Sequence, residues 1–255
     1  MITGFVGLGP GKAGTSWLYH GLRQHSQISM SNIKETYFFT ENWSKGIRWY
    51  ENNFSNNGLL KGEISNRYVF ELVKVVERAF LINPHTKFLI FIRDPVERAV
   101  SAFLFEKQLG YKGDLNSFIN ERDLSEFDNR KLLELCRQHI PNKQLYIVSF
   151  SNIVKDELTE LNNICKYLGV DEFQSLPTID RNTTKKARSE LFSRFGKYIA
   201  VKVRYFGYTR FLQYLKNSDL VNNLFFYDQV DNAFKNEIKS EFKKHIPANY
   251  YCGLE

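Results

Sequence analysis

The six residues Gly9–Gly14, Gly-Pro-Gly-Lys-Ala-Gly, constrain the fold of this chain more than any other stretch. Glycine and proline at that density make a loop. Before it, Ile2 to Leu8 reads as a short buried strand. After it, Thr15 to Gln24 reads as a helix with Trp17, Leu18 and Leu22 turned inward. A glycine loop between a strand and a helix aims backbone N–H groups and the positive end of the helix dipole at one place, which suits an anion such as a 5′-phosphate. The plainer alternative is a tight turn carrying a solvated Lys12.

The rest of the chain extends this strand–loop–helix opening. Apolar runs at Ile28 to Met30, Leu59 to Ile64, Lys87 to Ile92 and Leu145 to Phe150 suit parallel strands. Helical patterns separate them, at Tyr68 to Phe80, Pro95 to Gln108 and Asn152 to Leu168. The alternation predicts an α/β fold, a doubly wound parallel sheet covered by helices on both faces. After Gly169 the texture changes to a polar, basic loop over Pro177 to Arg188 and an aromatic, basic helical segment over Glu190 to Leu215, with no further obvious strand. An amphipathic helix at Asn232 to His245 carries Phe234, Ile238 and Phe242 at helical spacing. The expectation is one domain over 1–255, with 1–170 as an α/β core and 171–255 as a basic loop and helical cap.

At 255 residues and 43% hydrophobic content the chain has enough apolar material for one substantial core, and disorder is not expected. The formal charge of +7 suits an anionic ligand, yet basic and acidic residues alternate, so bulk charge names no partner and nucleic acid is not expected. Cys136, Cys165 and Cys252 are odd in number and far apart, which suggests neither a disulfide framework nor a zinc site. No stretch approaches about 18 uninterrupted apolar residues, and no leader pattern precedes the first strand. A cytoplasmic location is the expectation, with peripheral membrane contact left open and the oligomeric state undetermined.

Two familiar phosphate loops fit poorly. A Walker A loop asks for glycine where Val6 stands and for Ser or Thr where Ala13 stands, so the usual magnesium-binding hydroxyl is missing. Gly9-x-Gly11-x-x-Gly14 matches the dinucleotide pattern formally, but Pro10 and Lys12 are unusual within it. No acidic residue ends a clear second strand at about 20 residues on.

A second anion element follows the strand at Lys87 to Ile92. The segment Arg93-Asp-Pro-Val-Glu-Arg98-Ala-Val-Ser101 places an arginine at a strand's C-terminal end, a proline at a helix start and a serine on that helix. An arginine fork with a serine hydroxyl suits a phosphate dianion. An N-capped helix with a surface ion pair is the alternative.

Together the two elements resemble PAPS-dependent sulfotransferases, in which PAPS is 3′-phosphoadenosine 5′-phosphosulfate and PAP its desulfated product. Lys12 to Leu18 is similar to that family's 5′-phosphosulfate loop, although Gly11 separates Pro10 from Lys12. The resemblance implies that Gly11, Lys12, Ala13, Gly14, Thr15, Ser16 and Trp17 bind the cofactor. It puts Lys12 on the leaving phosphate oxygens, Thr15 and Ser16 on the 5′-phosphate and Trp17 against adenine. Arg93 and Ser101 carry over to the 3′-phosphate, and no metal is required.

Lys34-Glu-Thr-Tyr-Phe-Phe39 resembles the Lys-Glu-x-x-Phe-Phe segment of the carbohydrate branch, whose glutamate deprotonates the attacking hydroxyl. In-line sulfuryl transfer needs a base at the acceptor oxygen and a cation on the leaving side, roles the resemblance gives to Glu35 and Lys12. Gly62-Glu63-Ile-Ser65-Asn66-Arg-Tyr68 resembles a Glu-x-Ser-Pro-x-Tyr segment with Asn66 in place of proline, which nominates Glu63, Ser65 and Tyr68 for the acceptor side. Lys185, Lys186 and Arg188 lie in a basic loop of the kind that closes over PAPS in this family. The implied acceptor is a glycan or small hydroxyl compound. Rival readings are a nucleotide-dependent phosphotransferase and a non-catalytic nucleotide-binding module.

Overall fold

The computed structural model describes residues 4–55, 59–178, 186–187, 226–227 and 232–251. The chain packs as two compact units, one of residues 1–98, 127–182 and 248–255 and the other of 99–126 and 183–247.

The first unit is built on a five-stranded parallel sheet in the order β2-β3-β1-β4-β5. Its strands are β1 (Phe5–Gly9), β2 (Ile28–Met30), β3 (Leu60–Ile64), β4 (Lys87–Ile92) and β5 (Leu145–Ser149). Side chains along β4 alternate between the two faces, as a pleated strand demands. Phe88, Ile90 and Ile92 join Val6 and Leu8 on one face, under helices α3 (Leu72–Ile82) and α6 (Asn129–His139). Leu89 and Phe91 join Phe5 and Val148 on the other, under α1 (Thr15–Leu22) and α8 (Glu157–Leu168). Burial on both faces explains why these strands read as apolar runs rather than as alternating patterns. The doubly wound arrangement is as expected, with helices on both sides.

Several boundaries differ from the sequence reading for local reasons. The helix expected over Asn152 to Leu168 is two helices, α7 (Phe150–Lys155) and α8, because Asp156 is extended and its side chain caps α8 by accepting from Thr159 N. Tyr68 to Glu71 forms a 3₁₀ turn ahead of α3. Three helices were not foreseen: α2 (Gly46–Glu51), α5 (Leu115–Glu121) and α6. The caps of the last two were readable, since Asp114 accepts from Ser117 N and Asp128 from Lys131 N.

The second unit holds most of α4 (Pro95–Gln108), α5 and α9 (Asn232–His245). Phe118 of α5 is its aromatic centre, with ring centroids 5.2 Å from Phe103 and 6.0 Å from Phe242. Ile238 and Phe242 are buried as expected, whereas Phe234 is 48% exposed. Two short strands absent from the sequence reading, β6 (Lys186–Ala187) and β7 (Phe226–Tyr227), pair antiparallel here. Among the described residues no helix is long and apolar enough to cross a membrane.

Candidate active site

Strand order decides where the site forms. β1 and β4 are neighbours, so the loop leaving β1 and the arginine leaving β4 emerge side by side at the strands' C-terminal ends. The register between the two strands shifts between Gly7 and Gly9, where β1 bends into its loop.

The loop has no room for side chains at its entrance. Gly9 has φ 90°, and a Cβ there would meet the Asn66 carbonyl oxygen at 2.3 Å. Lys12 also adopts a left-handed backbone, with φ 66°. Gly14, at φ 103°, stands at the N-cap of α1 and leaves the first amides of that helix without a side-chain cap, the arrangement that favours an anion. Ala13 and Thr15 are buried, while Gly11, Ser16 and Trp17 keep partial exposure. Trp17 Nε1 donates to Glu157 Oε2 at 3.2 Å, and its ring packs beside the cluster around Leu18 and Ile153.

Arg93 reaches this loop directly, its Nη1 donating to the Lys12 carbonyl at 3.0 Å. Its guanidinium lies 4.2 Å over the Phe150 ring and 3.7 Å from a Glu97 carboxylate oxygen. Asn129 Nδ2 donates to the Arg93 carbonyl at 2.8 Å. Arg93 Nε is buried and has no hydrogen-bond partner among the described residues, so a donor remains for a ligand oxygen. The Lys12 ammonium is pushed down to about 8, first by burial and then by the positive charges of Arg93 and Lys34. Lys34 and Arg93 each stand beside a carboxylate, Glu35 and Glu97, and Lys12 adds a third positive charge close enough to feel both, a setting that suits an anionic ligand.

Lys34 links this cluster to the proposed base, its Nζ standing 2.6 Å from Glu35 Oε1. Tyr37 Oη donates to Glu35 Oε2 at 2.5 Å and lies 3.1 Å from Asn66 Oδ1. Burial, followed by the hydrogen bond to Glu35, raises the Tyr37 hydroxyl above its ordinary range. The nominated Lys12, Glu35 and Arg93 are thus brought together, and Lys34, which was not nominated, joins them.

Three further nominated residues are enclosed. Glu63, Ser65 and Tyr68 are 0% exposed, because they stand at the end of interior strand β3 and in the turn that follows it. They lie enclosed beneath the Glu35 segment, hydrogen-bonded to its residues. Ser101 sits half-buried on α4 within the second unit. Lys186 belongs to β6, while Lys185, Arg188 and the segment Glu190 to Leu215 lie outside the described residues. Thr36, Asn66, Asn129 and Phe150 were not singled out as site residues; Thr36 and Asn66 stand inside the quoted motifs, and Asn129 directly follows the helix cap Asp128.

Residues 5–202 match the family model described as the sulfotransferase domain. The chain belongs to that family. A membrane-associated sulfotransferase, kil1, of Dictyostelium discoideum is 31% identical over 42% of this chain and 24% of its own length. Heparan sulfate glucosamine 3-O-sulfotransferase 3B1 of Mus musculus is 28% identical over 64% of this chain and 45% of its own. The chain therefore spans less than half the length of these two curated relatives. A solved sulfotransferase from Alicyclobacillus acidocaldarius superposes with a TM-score of 0.58 at 21% identity, over 79% of this chain and 93% of that one, and shares its fold.

Proposed function

We propose that this sulfotransferase-family chain moves the sulfuryl group of PAPS to a hydroxyl of a glycan or small acceptor, with Glu35 as general base. The observation that carries the reading is the convergence of Lys12, Lys34 and Arg93 beside the Glu35 carboxylate. PAPS supplies an activated sulfuryl group whose leaving portion is a phosphate. The residues present fit such a nucleotide: an uncapped helix start and Lys12 for the 5′ end, and the unpartnered Arg93 Nε for a further phosphate oxygen.

Lys12 neutralises charge that develops on the leaving oxygens, and its partly desolvated setting strengthens that interaction. Glu35 accepts the acceptor's proton on a carboxylate oriented by Lys34 and Tyr37. The mouse relative's heparan sulfate specificity, stated in its name, supports a glycan hydroxyl as acceptor.

The experiment is transfer of labelled sulfate from PAPS across a panel of glycans, lipids, phenols and alcohols, with calorimetry of PAP binding in chelator. Transfer together with metal-independent PAP binding is expected. Magnesium-dependent ATP binding with no affinity for PAP overturns the reading in favour of phosphoryl transfer.

A further inference from the structure

Beneath the Lys34–Glu35 pair lies a carboxylate that takes no part in the chemistry above. Glu63 is completely buried, and three hydroxyls donate to it: Thr36 and Ser65 to Oε2, the latter at 3.0 Å, and Tyr68 to Oε1 at 2.9 Å. Each of those hydroxyls also accepts a backbone N–H. Ser65 Oγ takes that of Tyr37 at 3.3 Å, Thr36 Oγ1 that of Phe38 at 3.2 Å, and Tyr68 Oη that of Phe39 at 3.2 Å.

Three successive amides are thus relayed through three hydroxyls to one side chain. The amide half of every relay has a fixed direction, because an amide only donates, and each hydroxyl then has its single proton to give. That proton points at Glu63; burial raises the Glu63 carboxyl's pKa, and the hydroxyl donors, by favouring the ionised form that accepts all three, oppose the rise. The segment so held starts at Tyr37, whose φ is 48°, two residues after Glu35, whose φ is 65°. Non-glycine residues stay in this left-handed region only where their surroundings over-determine them.

We infer that Glu63 is a positioning residue: through Thr36, Ser65 and Tyr68 it locks the Tyr37–Phe39 amides and so holds the Glu35 carboxylate toward the acceptor. The inference rests on Glu35 being the base. It gives Glu63 no contact with the substrate.

The test uses the full chain and the variants Glu63→Gln, Thr36→Val and Thr36→Ser. Glutamine matches the shape of Glu63 but presents an N–H₂ to at least one relay. Amide hydrogen exchange of residues 37 to 39 is expected to rise about tenfold or more in Glu63→Gln and Thr36→Val, the loss of one buried hydrogen bond. Exchange in β1 and β4 and affinity for PAP stay as in wild type. The kcat falls by about 10²-fold, the scale of a small misplacement of a catalytic group, while KM for PAPS is unchanged. Thr36→Ser, which keeps the hydroxyl, restores both properties. The double variant Glu63→Gln/Thr36→Val is no slower than Glu63→Gln alone.

Unchanged exchange at 37 to 39 overturns the inference. So does a fall in kcat matched by an equal fall in PAP affinity, which marks a general structural role. Should Glu63→Gln not fold, the Thr36→Val and Thr36→Ser pair decides by the same readouts. Absence of sulfuryl transfer by the wild-type chain counts against the proposed reaction, while the exchange data still decide whether Glu63 locks the segment.

Discussion

Arg93, at the end of β4, donates to the backbone carbonyl of Lys12, 81 residues earlier, at 3.0 Å. The two phosphate elements are therefore one bonded unit. One guanidinium fixes the shape of the lysine loop with Nη1 while its buried Nε remains for a ligand. An arginine does both because its planar fork presents several donors in fixed directions.

Arg93→Ala accordingly has two effects that ligand choice separates. Loss of the loop brace weakens adenosine 5′-phosphosulfate and PAP alike. Loss of the charge-assisted bond weakens only the ligand with a 3′-phosphate, by a further amount of about 1.5–3 kcal/mol. Calorimetry with both ligands measures the difference, and equal losses show that Arg93 braces the loop without touching the 3′-phosphate.

Glu35→Gln keeps the shape of the base and removes its proton affinity. Turnover is expected to fall by about 10²–10⁴-fold, the usual share of a general base, with PAP affinity unchanged. Steady-state rates on an identified acceptor check this. Wild-type turnover in the variant moves the search for a base to another residue.

Lys12 makes nucleotide binding depend on pH. With its ammonium pushed down to about 8 in the ligand-free protein, Lys12 is charged below that value and increasingly neutral above it. A bound anion favours the charged form, so affinity for PAP is expected to decline as pH rises through about 8, and binding above that pH takes up a proton. Calorimetry in buffers of different ionisation enthalpy counts the proton. Lys12→Met is expected to abolish the uptake and, by removing the cation, to weaken binding at neutral pH.

Gly9→Ala tests the entrance to the loop. The added Cβ meets the Asn66 carbonyl, and φ 90° strains any side chain, so a loss of about 1–3 kcal/mol in stability is expected. Melting with and without PAP measures it. A variant as stable as wild type, with full PAP affinity, shows that the loop relaxes without consequence.

The parts of the site that were legible are those whose chemistry is local. Glycines at 9, 11 and 14 report a loop wherever it sits, and Arg93-Asp-Pro reports a strand end and a helix start. Asp156 was also readable as a cap that splits a helix, yet the apolar spacing across it reads as continuous. Glu63, Ser65 and Tyr68 were noticed by resemblance and placed on the acceptor side. Their burial was not legible, because exposure depends on which strands flank β3.

By itself the sequence determined the alternation of strands and helices, the glycine loop, the arginine at a strand end and the Lys34–Glu35 pair, since neighbouring residues impose those features through backbone sterics and side-chain spacing. Only the tertiary structure decided that Arg93 bonds Lys12 and that Glu63 gathers the Tyr37–Phe39 amides through three hydroxyls. The physical reason is the strand order β2-β3-β1-β4-β5, which brings together hydrogen-bonding partners tens of residues apart. Burial in the packed sheet then requires that each of those polar groups find a partner.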